Sequence, residues 1–115
     1  MIKIHKTVYD KPSREDGTRI LVMRFWPRGV GKERVDEWLQ DLGASPTLIR
    51  DWKNGKILWS EFKRRYTQEL ESGARRAVLK KLAERSKKEI MTLLCSCKEP
   101  DRCHRSVIKE LVEKL

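Results

Sequence analysis

Ile90-Met91-Thr92-Leu93-Leu94-Cys95 runs almost without a polar interruption, and Arg19-Ile20-Leu21-Val22-Met23-Arg24 carries a second run of the same kind. A strand with one wet face alternates apolar and polar residues, whereas a continuous apolar run fits a strand covered on both faces, as in the middle of a parallel sheet. Both runs are far shorter than the roughly 18 residues of a membrane span. Outward from them the chain alternates strand-like and helix-like patterns. Residues 2–8 alternate as a half-buried strand, and Asp10 to Gly17 form a polar loop rich in breakers. Val35, Trp38, Leu39 and Leu42 fall at i, i+3, i+4 and i+7, which predicts a helix stopped by Gly43.

Ser45 before Pro46 predicts the cap of a further helix through Leu48, Ile49 and Trp52. Asn54-Gly55 turns the chain, and Lys56 to Trp59 reads as a short extended piece. Ser60 is the expected cap of a helix carrying Phe62, Tyr66 and Leu70, and another helix spans roughly 74–88. Val107, Ile108, Leu111, Val112 and Leu115 form the stripe of a closing helix, with Asp101 as its expected N-cap. The order predicts one α/β domain over residues 1–115, a small, mostly parallel sheet flanked by helices on both faces in three layers. The pairing of the first strand is left open.

Lys and Arg number 27 against 17 Asp and Glu, a net charge of +10 that favours acidic partners. Hydrophobic and charged residues each make up 38%, which excludes disorder of the whole chain. Nothing at the N-terminus reads as an export signal, and three cysteines confined to 95–103 suit a reducing compartment, so a cytoplasmic protein is expected. Only Gln40, Asn54 and Gln68 carry amides, a pattern of heat-adapted proteins that points to a thermophilic source.

If the two apolar strands are parallel neighbours, the loops after both emerge at one carboxyl edge of the sheet, where open α/β folds bind ligands. One loop brings Arg24, Trp26 and Arg28; the other brings Cys97, Arg102, Cys103, His104 and Arg105. Arginine forks beside the free N–H groups of a helix start make a phosphate or carboxylate clamp. Arg19, Arg24, Arg28, Arg102 and Arg105 are the expected anion-binding cations, and Trp26 the ring placed to stack on a ligand. His104 is the candidate acid or base and Cys103 the candidate nucleophile, with a thiol pKa lowered by its surroundings. Cys97 and Cys103 form a possible redox pair, and Cys95 reads as a small buried hydrophobe.

Zinc at these residues is an alternative, but C-x-C is not the usual knuckle spacing and adjacent Cys-His rarely shares one metal, so no metal or other cofactor is expected. A cysteine-phosphatase loop is excluded, because Arg102 stands five positions after Cys97 rather than six. Residues 63–88 hold ten Lys or Arg against three acids and offer a basic face for nucleic acid, with no signature of base-specific reading.

Val8-Tyr9-Asp10, Glu15-Asp16-Gly17-Thr18-Arg19-Ile20-Leu21-Val22 and Arg24-Phe25-Trp26-Pro27-Arg28-Gly29 resemble the YeaO-like branch of domain-of-unknown-function family 488. Trp38, Ser45-Pro46, Phe62, Arg65-Tyr66, Glu69-Leu70, Thr92-Leu93-Leu94 and His104 extend the resemblance over nearly the whole chain. It implies a small cytoplasmic α/β domain and supplies no mechanism. Met23 stands where that pattern usually has an acid, and Cys103-His104-Arg105 replaces a more typical Asn-His-Ala, resembling instead the ending of other members of the wider family. The resulting expectation is a pocket for a phosphate-bearing small molecule or nucleic-acid end. The rivals are a non-enzymatic basic module for nucleic acid or protein and a thiol or zinc site at Cys97 and Cys103. Catalysis and oligomeric state are left open.

Overall fold

The structure, a computed structural model, describes residues 1–115. Strands β1 (Ile2–Lys3), β2 (Thr18–Leu21), β3 (Glu37–Trp38) and β4 (Met91–Leu94) form one sheet in the order β1-β4-β2-β3, with every pair parallel. β4 lies in register with β2 from Thr18–Met91 to Leu21–Leu94, and β1 takes the edge beside it, Ile2 opposite Met91. The two apolar runs are thus the central strands of a parallel sheet, as their composition requires.

Four helices, α1 (Pro46–Lys53), α2 (Trp59–Leu70), α3 (Ala74–Ser86) and α4 (His104–Glu113), share one core with the sheet. Ile20, Val22, Met91 and Leu93 turn to that side and meet Leu48, Phe62, Tyr66, Leu79, Val107 and Ile108, all buried. Each such side chain contributes about 1.5–3 kcal/mol by leaving water. Ser45 caps α1, its Oγ accepting from the Leu48 N–H, while the Glu69 carboxylate accepts from the Ser45 N–H at 2.9 Å and its hydroxyl at 2.6 Å. The start of α1 is thereby tied to the end of α2. No helix is long and apolar enough to cross a membrane.

Leu21 and Leu94 point to the other face and pack on Val8, with Met23, Trp26, Val30 and Val35 around them. This third layer is made of loops and 3-10 turns at Arg14–Asp16 and Lys32–Arg34, so the α-helices lie on one face rather than both. Its fastening is polar. The buried Asp16 carboxylate accepts from Arg19 at 2.6 Å and from Lys6 and Ser13, and Arg19 donates onward to the Arg34 and Asp10 carbonyls.

Other local expectations change as well. The stripe Val35, Trp38, Leu39, Leu42 is strand β3 followed by a 3-10 turn, not an α-helix. Val35 serves the small core beneath the loop layer while Leu39 and Leu42 serve the helical core, so the four side chains do not share one face. The first strand stops at Lys3 instead of reaching residue 8. Residues 56–58 turn directly into α2, whose cap position is Leu58 rather than Ser60. Asp101 lies in a 3-10 turn, and Cys103, extended at φ −153° and ψ 165°, takes the N-cap position of α4.

Candidate functional site

Adjacent strands β2 and β4 send their chains to opposite faces: residues after β2 enter the loop layer, and those after β4 enter α4 on the helical side. In open α/β sheets the crevice at such a divergence is where ligands bind. A cleft of about 280 Å³ lies there, lined by Met23, Arg24 and Phe25 after β2, by Pro46, Ile49, Arg50 and Lys53 of α1, and by His104 at the start of α4. No carboxylate lines it. Arg24 is oriented by its bonds to the Ala44 and Gly43 carbonyls through Nε and Nη2. Phe25 is 64% exposed, an open ring at the cleft's rim.

His104 is buried, its ring held edge-on by Tyr66 at 5.1 Å and Phe62 at 6.0 Å between centroids. Tyr66 is itself fixed by donating its hydroxyl to the Leu42 carbonyl. Nδ1 of His104 stands 3.6 Å from Cys95 Sγ, while Nε2 is buried with no partner in the chain. Cys95 Sγ is also 3.6 Å from Cys97 Sγ. The donor atoms of Cys95, Cys97, Cys103 and His104 all lie within 4.8 Å of one another, and the three thiols are free. Hydrogen bonding from Cys95 and Cys97 pulls the Cys103 thiol below its ordinary value, and the contact with Cys103 is the main cause that pushes Cys95 and Cys97 up.

Arg105, fully buried, donates to the carbonyls of Ile4 and Lys6 after β1 and of Cys97 after β4. Its guanidinium stitches two loops and does not line the cleft. Arg19 is likewise committed to Asp16 and backbone carbonyls inside the loop layer. Trp26 gives its Nε1–H to the Val30 carbonyl and packs edge-on against Trp38 at 5.4 Å. Arg28 is exposed and does not line the cleft. Arg102 borders a separate groove of about 470 Å³ with Trp52, Trp59 and Cys97. Cys103 is fully buried and does not line the cleft, whereas His104 does. Of the expected anion-binding cations, Arg24 alone meets His104 in the cleft.

Arg50 and Lys53 were not anticipated. Their signal was present in the sequence, as cations three apart on a helix whose Ile49 and Trp52 pack inward, but only the fold brings α1 to the carboxyl edge. Cys95 was expected to be inert and instead completes the sulfur cluster.

A family model described as the active DUF488-N3 subclade, DUF488-N3a, matches residues 2–115. The chain is similar to the uncharacterized protein YeaO of Escherichia coli (strain K12), 34% identical over 112 residues that cover 96% of either chain. It is also similar to the uncharacterized protein Rv3073c of Mycobacterium tuberculosis (strain ATCC 25618 / H37Rv), 35% identical over 107 residues, 91% of this chain and 88% of that one. No solved structure matches. With the parallel sheet, the tryptophan-bearing loop after β2 and the histidine at the start of α4, the chain belongs to the DUF488-N3a family as a YeaO-like protein.

Proposed function

We propose that the carboxyl-edge cleft binds a phosphate-bearing nucleotide or the phosphorylated end of a nucleic acid. One observation carries this reading: Arg24, Arg50, Lys53 and His104 line a single cleft that contains no carboxylate. Three positive charges around a small concave site attract an anion. Arginine forks suit phosphate oxygens better than a point charge does. The apolar wall of Met23, Phe25 and Ile49 favours a ligand with a flat or apolar part beside its phosphate, for which the exposed Phe25 ring is a stacking surface.

A titration of the two histidine rings by NMR tests the reading, with inorganic phosphate, mononucleotides and a short oligonucleotide at moderate salt. His5, exposed, is the internal control. The expected result is a saturable shift of His104 alone with a mononucleotide. A second reading rests on the basic face: Arg75, Arg76, Lys80, Lys81, Lys87 and Lys88 make no salt bridge, in contrast to Lys63, Arg64, Arg65 and Arg85 of the same stretch. Salt-dependent binding of the oligonucleotide with a silent His104 would favour that face and end the cleft reading.

A further inference from the structure

Cys95, Cys97, Cys103 and His104 lie outside what phosphate binding requires, apart from the one histidine. In a tetrahedral zinc site, bonds of about 2.3 Å to sulfur and 2.0–2.1 Å to nitrogen place neighbouring donors roughly 3.3–3.8 Å apart. Here Cys95 Sγ is 3.6 Å from Cys97 Sγ and 3.6 Å from His104 Nδ1, and no two of the four donors are more than 4.8 Å apart. The spacing objection fails for a structural reason. Cys103 is extended and His104 opens α4, so two adjacent residues turn their side chains to one point, where the end of β4 delivers Cys95 and the following loop Cys97.

Arg105 is an independent second observation. It is fully buried, no carboxylate lies within salt-bridge distance, and its Nε has no partner. A buried cation without a counter-charge is costly. Three thiolates and one imidazole around a divalent ion carry a net charge of −1, and Arg105 Nη2 reaches the Cys97 carbonyl at 2.7 Å, beside that charge.

We infer that Cys95, Cys97, Cys103 and His104 form a four-coordinate zinc site that clamps the end of β4 to the start of α4. Soft sulfur donors with one imidazole in a tetrahedral arrangement select zinc over magnesium or calcium. All four positions are filled by the protein, so the site is structural rather than a place where water or substrate binds the ion. Ligation through Nδ1 leaves the proton on Nε2, the ring atom with no partner in the chain.

The test is cobalt titration of the metal-free full chain, followed by zinc competition. The expected result is one equivalent of bound cobalt with intense tetrahedral visible bands and a sulfur charge-transfer band, both abolished by zinc. Cys97→Ser, at a partly exposed loop position, should weaken binding at least about a hundredfold, the upper end for losing even an outer-shell partner. A folded wild-type chain whose cobalt spectrum stays that of the hydrated ion overturns the inference, as does a Cys97→Ser chain that binds cobalt like wild type. The cobalt spectrum does not depend on a phosphate ligand. A silent phosphate titration with tetrahedral cobalt bands removes only the cleft reading, and the converse removes only the zinc.

Discussion

Cys95 Sγ and His104 Nδ1 stand 3.6 Å apart, although one residue follows a central strand and the other opens the closing helix. The loop between them is therefore held at both ends by side chains of one cluster. His104 belongs to that cluster and to the cleft, so whatever orders the sulfurs also orients the ring that a ligand meets.

The anion reading makes a prediction at α1. Arg50 and Lys53 are exposed on the helix surface, so reversing their charge leaves the core untouched. Arg50→Glu combined with Lys53→Glu should weaken mononucleotide binding at least about tenfold while moving stability by no more than about 0.5 kcal/mol per site. Calorimetric titration and a thermal melt measure the two quantities. Unchanged affinity in the double variant would place the ligand elsewhere.

Acid stability should depend on Asp16. Burial alone would raise its pKa, but the hydrogen bonds it accepts from Lys6, the Ser13 N–H and Arg19 hold it well below the ordinary 3.8. As pH falls through that ordinary value the unfolded chain takes up the proton first. The contribution of Asp16 is therefore present above about pH 4 and is lost as pH falls towards the folded value. Asp16→Asn should cost about 3–5 kcal/mol at pH 7 by leaving Arg19 buried without its partner, and should flatten the loss of stability below pH 4. Denaturant melts at a series of pH values check both, and an acid slope equal to that of wild type would contradict the account.

Arg105 holds carbonyls from two loops with one planar fork, which an ammonium on a flexible stem cannot span. Arg105→Lys should destabilise the fold by about 1–3 kcal/mol even though the charge is kept, because partly buried carbonyls are left unpaired. Urea unfolding of the variant measures it. A loss below about 1 kcal/mol would mean that water or the lysine replaces the fork.

Gly17 has φ 62° and ψ −138°, a region open almost only to glycine, and a Cβ there would sit 2.1 Å from the Ile90 carbonyl oxygen. Gly17→Ala should cost about 3 kcal/mol or more. Gly55, at φ 73° with open space around it, is the comparison, and Gly55→Ala should cost only about 1–2 kcal/mol. Equal losses in the two variants would show that the contact with Ile90 carries no weight.

The central sheet was legible because residues 20–23 and 90–95 are nearly continuous apolar runs, which fit strands covered on both faces of a parallel sheet. β3 was not, because two residues are too few to show a period, and the apolar residues around it divide between cores on opposite sides of the sheet. An amphipathic stripe shows that one side of a helix is covered but not which face of the sheet covers it, so the packing of all four helices on one face is not written in any single helix. At the site, the meeting of Cys97, Cys103 and His104 followed from strand order. The commitment of Arg19 and Arg105 to interior carbonyls did not, since an arginine that clamps an anion and one that staples loops are written with the same letter. Spacing rules for metal knuckles assume regular turns, and the extended Cys103 departs from one.

The strand order also governs how the chain matures. β4 occupies the middle of the sheet yet comes from residues 91–94, while both of its neighbours, β1 and β2, lie within the first 21. During synthesis the early strands have no central partner, and β2 with β3 must persist as a ragged pair with an open, hydrophobic edge. High contact order makes closure slow and places it after nearly every other element has been made. Until β4 inserts, neither the cleft nor the sulfur cluster is assembled, so a product truncated before β4 would expose the sheet's central edge and lack both.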